Sequence, residues 1–431
     1  MWLRSVDIAG GGLLRPLVRR LNADIGERLR PALILGIETS CDDTAIAVIN
    51  ENGLILGEAQ HSQLATHVAL GGIIPPVARD LHIKHIERVH QDALRAANLE
   101  PKQLDAVAVT TRPGLGLSLQ VGLQHAKKFC LQHSLPLISV HHMHAHALVV
   151  RSCMPVKFPF LVLLVSGGHC QVAVVQGVSD FILLGSTLDD APGEALDKVA
   201  RRLKLNNMDE FRDLSGGMAI ERLARRGDPT SFELTVPMTT RMDCNFSFSG
   251  LKSSTMKKIS HEEKNNGIEG DAILPNISDI CASFQHTLCI HLMKRMQRAF
   301  NFCRQTGLQF GDRLVISGGV ACNTYLRFVM EQLCERYGVE LFVPPRRLCS
   351  DNGVMIAWNG MEKFQMGGAL VPPEDLHLVD FVHKCPLGED RRDDVARAFI
   401  RSEKFKLDMN RLMRDTGNTR WLALEHPSAS P

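Results

Sequence analysis

The run Val140-His141-His142-Met143-His144-Ala145-His146 places four histidines within six residues. On a helix, His142 and His146 stand one turn apart, so their imidazoles share a face and can bind one divalent cation. Two nitrogens rarely hold an ion alone, and a carboxylate on a loop is a suitable hard third ligand. One stands far downstream, in Cys349-Ser350-Asp351-Asn352. His142, His146 and Asp351 are therefore expected to hold one divalent ion per subunit, zinc or iron, with open positions left for a substrate. A lone His pair would read as space-filling; four in six residues, with glycine-rich loops elsewhere, favour the metal.

Other groups could serve a ligand of that ion. Leu33 to Ile37 is a strand candidate, followed by Glu38-Thr39-Ser40-Cys41-Asp42-Asp43-Thr44 and a second strand, Ala45 to Ile49. Such a hairpin can present hydroxyls and the Asp42 and Asp43 carboxylates to a phosphate or its metal, although both acids also suit a plain turn. Phe160 to Val165 is a buried strand ending in Ser166-Gly167-Gly168-His169, and Leu314 to Ile316 runs into Ser317-Gly318-Gly319-Val320. Two strand-then-Ser-Gly-Gly units suggest two backbone loops closing on one nucleotide-like ligand, because paired glycines let the main chain approach phosphate. Thr110 to Gly116, ahead of a helix over Leu117 to His133, could offer N–H groups to an anion. In Asp189 to Lys198, Pro192 opens a helix that carries Asp197, which could bind a ribose or an amino acid or merely cap.

The elements that position these groups follow from periodicity. A helix is expected from His82 to Asn98 with Ile83, Ile86, Val89 and Ala93 inward and His82, His85 and His90 solvated or capping. The Ile277 to Thr306 helix is core; helices at Thr324 to Tyr337 and Asn352 to Phe364 flank a strand, Glu340 to Val343, that delivers Asp351. Asn245 to Lys252 reads as a short strand and turn, Ser260 to Gly270 as a polar surface loop, and the charged stretch beyond Gly388 as a separate surface helix.

At 431 residues and 45% apolar, the chain has material for two domains. A net charge of +2 gives no global drive toward nucleic acid. RNA contact would need local patches, for which Arg201, Arg202, Arg225, Arg226, Lys257 and Lys258 are candidates. The 12 cysteines are scattered without a Cys-x-x-Cys, which argues for a reducing compartment and against a zinc knuckle. No apolar run approaches the roughly eighteen residues of a membrane span. Arg4, Arg15, Arg19, Arg20, Arg28 and Arg30 alternate with leucines ahead of the first strand, as in a mitochondrial transit peptide, although Asp7, Asp24 and Glu27 are unusual there.

Taken in order, Leu35 to Thr44, His142-x-x-x-His146, Leu164 to His169, Gly193-Glu194-Ala195-Leu196-Asp197-Lys198, Phe246 to Lys252, Ser317 to Asn323 and Ser350-Asp351-Asn352 resemble the tRNA N6-adenosine threonylcarbamoyltransferases, a family once labelled O-sialoglycoprotein endopeptidase. The resemblance runs from about Leu33 to Gly388, and the leader suggests the mitochondrial member. It implies an α/β fold of the actin-like, Hsp70-like (ASKHA) type, two lobes with the site in the cleft. It implies transfer of threonylcarbamoyl from threonylcarbamoyl-adenylate to N6 of the adenosine 3′ of the anticodon in tRNAs reading ANN codons, with release of AMP. It further implies tRNA as partner, a separate synthase supplying the adenylate, a homodimer, and no membrane. Carried over by position, His142, His146 and Asp351 are the metal ligands and Asp42 and Asp43 the catalytic acids. Leu164, Val165, Ser166, Gly167, Gly168, Asp197, Gly217, Glu221, Cys322, Asn323 and Ser350 form the adenylate pocket. Arg112, His144, Cys170 and Cys385 depart from the family pattern. His144 matters most, since it could compete as a ligand.

The division expected is a leader over 1–31, a first lobe over 32–150, a second over 151–348, a return segment over 349–389 carrying the third ligand, and a charged tail over 390–431. Three rival functions compete. A metallopeptidase needs Glu directly after its first His, where Met143 stands. A small-molecule kinase or ATPase of the same fold would not use two His and an Asp on one metal. A non-catalytic nucleotide-binding protein would bind metal without transfer to tRNA.

Overall fold

A computed structural model describes residues 30–212, 214–368, 370–408 and 411. The expected leader and the end of the tail lie outside the described residues, apart from Arg30 and Pro31 at the leader's edge, where Arg30 pairs with Asp105 at 3.2 Å.

Among the described residues, twelve strands are distributed over two sheets. β1 (Leu33–Glu38), β2 (Asp43–Asn50), β3 (Ile55–Ser62), β4 (Ala106–Arg112), β5 (Leu137–His141) and β11 (Leu370–Val371) form the first, in the order β11-β5-β4-β1-β2-β3. β6 (Phe160–Val165), β7 (Cys170–Val175), β8 (Phe181–Ser186), β9 (Arg313–Ser317), β10 (Glu340–Phe342) and β12 (Glu389–Asp390) form the second, in the order β10-β9-β6-β7-β8-β12. Each sheet starts with an antiparallel meander, β1-β2-β3 or β6-β7-β8, and then adds two parallel strands, β4 and β5 or β9 and β10. Parallel neighbours need crossovers, and helices at Pro75–Ala97, Gly116–His133, Ile277–Thr306 and Thr324–Tyr337 supply them. The same plan twice over is the actin-like, Hsp70-like arrangement expected. β1 and β6 are buried throughout, which explains their unbroken apolar runs.

The two lobes are tied by the chain's return. The Gly353–Gln365 helix packs across β1, β2, β4 and β5, and β11 pairs with β5, so this segment belongs spatially to the first sheet. Contact is backbone to backbone. A Cβ at Gly36 in β1 would lie 2.2 Å from the Ala357 nitrogen, so glycine is required there for the helix to dock. That docking fixes where the preceding residue pair, Asp351-Asn352, sits.

Several expectations are corrected. The first long helix starts at Pro75, with proline in its first turn. Its inward face carries His82 and His90, both buried, while Ile83 is 58% exposed. His82 is drawn inward because Thr44 and the Cys41 carbonyl bond its two nitrogens at 2.7 and 3.0 Å. His90 Nδ1 lies 2.6 Å from His125 Nε2. Ser249–Asn265 is a helix, where a turn and then a surface loop were expected; it buries only Leu251, Thr255 and Ile259, too narrow a stripe to show as a pattern. Beyond Gly388 the chain forms β12 and the short Arg392–Arg397 helix and then threads into the second lobe, burying Val395, Ile400 and Leu407. Buried Arg298 holds it, donating to the Ile400 carbonyl at 2.9 Å and to Ser402 Oγ at 3.0 Å.

Candidate active site and metal centre

β5 ends at His141, and the His142–Leu148 helix begins at the next residue, with His141 Nδ1 accepting the Met143 N–H at 3.2 Å. His142 and His146 then project from one face. Asp351 reaches them from the return segment, where Asn352 caps the docked helix by accepting the Met355 N–H at 2.8 Å. His146 Nε2 is 2.9 Å and His142 Nε2 3.6 Å from Asp351 Oδ1. One ligand atom from each of the three residues lies within 4.8 Å of the others. Ligands at about 2.0–2.2 Å around a tetrahedral ion stand roughly 3.3 Å apart, so the set matches a single nitrogen-nitrogen-oxygen site.

Behind this face lies a group that sequence reasoning missed. Glu38, fully buried at the end of β1, accepts the Ser40 N–H at 2.5 Å and the Thr110 hydroxyl, and its Oε2 is 3.3 Å from His142 Nδ1. Ser40 Oγ is 3.0 Å from the same nitrogen. A carboxylate taking the Nδ1 proton leaves the Nε2 lone pair facing Asp351, the tautomer a metal ligand needs. Burial alone would depress the His142 pKa, but Asp351 and Glu38 on either side hold it up at about 9. Burial likewise opposes ionisation of Asp351 and Glu38, yet the facing imidazoles keep both carboxyls low. Two carboxylates around two imidazoles form a site that demands positive charge, from a proton or from an ion.

Asp42 and Asp43 lie in the turn into β2 and feel the same field. Burial and then the Asp351 charge push both carboxyls up, Asp43 to about 7. Asp43 also holds one buried oxygen without a hydrogen-bond partner. Asp42 lines a cleft between the lobes, with His67, Gly72 and Ile73 on its own side and Asp197, Arg201 and Gly216 opposite.

The second lobe brings its two Ser-Gly-Gly loops side by side, because Leu164 of β6 and Ser317 of β9 are parallel partners. Gly318 has φ of 102°, and a Cβ there would meet the Val165 carbonyl at 2.2 Å, so only glycine lets the turns touch. Ser166 accepts the Gly193 N–H on its carbonyl at 3.2 Å and the His169 N–H on its hydroxyl at 3.1 Å. Gly167 and Gly168 are open: no atom lies within 4 Å of where their Cβ atoms would be. Asp197 accepts the Gly217 N–H at 3.2 Å.

Other expected pocket residues sit differently. Leu164 and Val165 bury their side chains completely, leaving only main chain to offer. Glu221 accepts the Thr324 N–H at 2.9 Å, and Asn323 donates to Gln285 Oε1 at 2.7 Å while capping the next helix at Leu326. Both are buried and engaged by these bonds. Cys322 is half-buried and Ser350 exposed. His169, also missed, brings its ring to 6.4 Å from that of His142, and burial holds its imidazole down at about 4. His144 does not compete for the ion: its Nε2 is 2.7 Å from the Leu387 carbonyl, and its ring stacks on Phe181 at 4.0 Å. Of the basic residues proposed for RNA, Arg202, Arg225, Arg226 and Lys258 each pair with a glutamate.

A family model described as TsaD, tRNA N6-adenosine threonylcarbamoyltransferase, matches residues 54–358. The mitochondrial tRNA N6-adenosine threonylcarbamoyltransferase of Danio rerio is 50% identical over 384 residues, 88% of this chain and 94% of the relative. That of Homo sapiens is 48% identical over 394 residues, 91% of this chain and 95% of the relative. Among solved structures, HypF of T. kodakarensis aligns with a TM-score of 0.47 and 15% identity, over 80% of this chain and 49% of that one.

Proposed function

This chain belongs to the tRNA N6-adenosine threonylcarbamoyltransferase family, and from that premise we propose that it moves the threonylcarbamoyl group of threonylcarbamoyl-adenylate to N6 of the adenosine 3′ of the anticodon, releasing AMP. Its location is mitochondrial, as for the named relatives. The observation that carries the reading is the meeting of His142, His146 and Asp351 beside Asp42, Asp43 and the paired Ser-Gly-Gly loops.

The donor is a mixed carbamic–phosphoric anhydride, so AMP is already a good leaving group. What remains is to orient a weakly nucleophilic exocyclic amine and to stabilise charge developing on the carbonyl and phosphate oxygens. When bound by His142, His146 and Asp351, a zinc or iron ion supplies Lewis-acid stabilisation of that charge. The main chain of Gly167–Gly168 and Gly318–Gly319 takes the phosphate side, and Asp197 the ribose. Asp42 or Asp43 takes the proton leaving N6, directly or through water. Burial pushes the Asp43 carboxyl up, toward the proton affinity that role needs near neutral pH. The proposal extends to a separate synthase that delivers the adenylate, and to a homodimer. Among the described residues no helix is long and apolar enough to cross a membrane.

The test is product analysis. Synthetic threonylcarbamoyl-adenylate and unmodified tRNA should give modified nucleoside and AMP in equal amounts. A phosphorylated small molecule formed from ATP alone would favour a kinase instead.

A further inference from the structure

The Leu64–Ala69 helix and the Gly71-Gly72 turn after it form the first lobe's side of the cleft, beside Asp42. Leu64, Val68 and Ile73 line that side and remain 40%, 39% and 43% exposed, an apolar wall without a cover among the described residues. His67 lines it too, but is buried. Gln63, one turn earlier, fixes its tautomer. Gln63 Nε2 donates to the Ala78 carbonyl at 3.2 Å, which leaves Gln63 Oε1 facing His67 Nε2 at 3.0 Å. A carbonyl oxygen can only accept, so His67 Nε2 carries the proton and Nδ1 keeps a lone pair. That Nδ1 is buried and has no hydrogen-bond partner among the described residues. Nitrogens of His90 and His291 share that state, but of the histidines only His67 lines this cleft among the described residues. The Gln63 N–H also bonds the Asp42 carbonyl at 3.1 Å, tying the imidazole to the Asp42 turn.

A buried lone pair without a partner calls for an N–H or O–H group from a ligand. The phosphate and carboxylate oxygens of an adenylate offer lone pairs instead and are repelled. An amine on a flat ring meets both demands of the wall: its N–H suits His67, and a ring face suits Leu64, Val68 and Ile73. Across the cleft stands Arg201, exposed, and the only arginine or lysine lining it among the described residues. It is placed to take a backbone phosphate of the same nucleotide strand.

We propose that this wall is the subsite for the acceptor base, with His67 Nδ1 accepting one hydrogen bond from the N6 amine of the target adenosine. Leu64, Val68 and Ile73 cover one face of the adenine. The second N6 hydrogen then points to Asp42 on the same side of the cleft. The amine lone pair projects from the open ring face, toward the adenylate held by the second lobe. His67 binds and orients the amine and takes no proton itself. The assignment rests on the transfer reaction proposed above and supplies what that reaction leaves open, the residues that hold the nucleophile.

Binding to the metal-loaded full chain is measured without adenylate, for unmodified tRNA and for the same tRNA carrying purine, which lacks the amine, in place of the target adenine. The parent chain is expected to bind the adenine form roughly five- to tenfold more tightly, the worth of one neutral hydrogen bond. His67→Phe should erase that difference and slow transfer while leaving the KM for the adenylate unchanged. Ile73→Ser and Arg201→Gln should weaken both tRNAs by similar factors and keep the difference. Equal binding of the two tRNAs by the parent chain overturns the assignment, as does discrimination that survives in His67→Phe. A raised KM for the adenylate in His67→Phe, with tRNA binding unchanged, gives the wall to the donor and overturns it too. Should His67→Phe fail to fold, Ile73→Ser decides: parental affinity for both tRNAs overturns the subsite. Absence of transfer by the parent chain counts against the function proposed above, while the binding comparison still decides where the base sits.

Discussion

The two faces of the His142–Leu148 helix carry the same residue type to opposite ends. One face presents His142 and His146 to Asp351, with Glu38 behind. The other stacks His144 on Phe181 at 4.0 Å and on His141 at 4.2 Å, within the wall between the lobes. His142 is held up at about 9 by two carboxylates, whereas burial drives His144 down to about 4. Chemistry here depends on what the neighbouring strands deliver to each face: β1 and the return segment bring carboxylates to one, β8 brings an aromatic ring to the other. Histidine content alone distinguishes neither.

The comparison breaks most visibly if the ligand face is dispensable. His142→Ala should abolish stoichiometric metal binding and lower single-turnover transfer by about a hundredfold or more, read by metal analysis and by nucleoside formation. Next in size, Asp42→Ala and Asp43→Ala should each slow single-turnover transfer by roughly 10²-fold while leaving metal content intact. If both variants kept the normal rate, neither acid would serve as the base. Glu38→Gln keeps the shape but not the charge behind His142, so metal affinity should fall about 10- to 100-fold in a competition titration.

The stacked face should report in stability. His144→Phe retains the stack and leaves the Leu387 carbonyl unsatisfied, costing about 1–3 kcal/mol in urea unfolding with metal content unchanged. pH separates the faces further. His144 has a folded pKa near 4 against an ordinary 6.5, so its contribution is present above pH 6.5 and is lost as pH falls through that interval. His144→Phe should therefore flatten the acid limb of the stability curve. His142 runs the other way: in metal-free protein its contribution is present below pH 6.5 and is lost as pH rises toward 9. An identical pH response in His144→Phe and the parent chain would contradict this assignment.

What was legible follows from the range over which each signal acts. Spacing of four is a local property, and it put His142 and His146 on one face; unbroken apolar runs marked β1, β6 and β9, and the Ser-Gly-Gly repeats after two of them marked the loops. Glu38 was opaque because a carboxylate closing an apolar strand looks like the strand's polar end, and only the fold shows it facing His142. The Ser249–Asn265 helix buries one residue per turn, too few for periodicity to reveal. The tail's charge concealed the burial of Val395, Ile400 and Leu407, in a segment held at the Ile400 carbonyl by Arg298 about a hundred residues earlier. Pairings set by tertiary contact, including His90 with His125, leave no mark in a single chain.

The most direct measurement sets His146→Ala beside His144→Ala in one assay that records bound metal and threonylcarbamoyl transfer to unmodified tRNA. His144→Ala should keep both, with transfer within a few-fold of the parent chain. His146→Ala should lose both together. Transfer at the parental rate by His146→Ala, with no ion bound, would contradict a reaction organised around His142, His146 and Asp351.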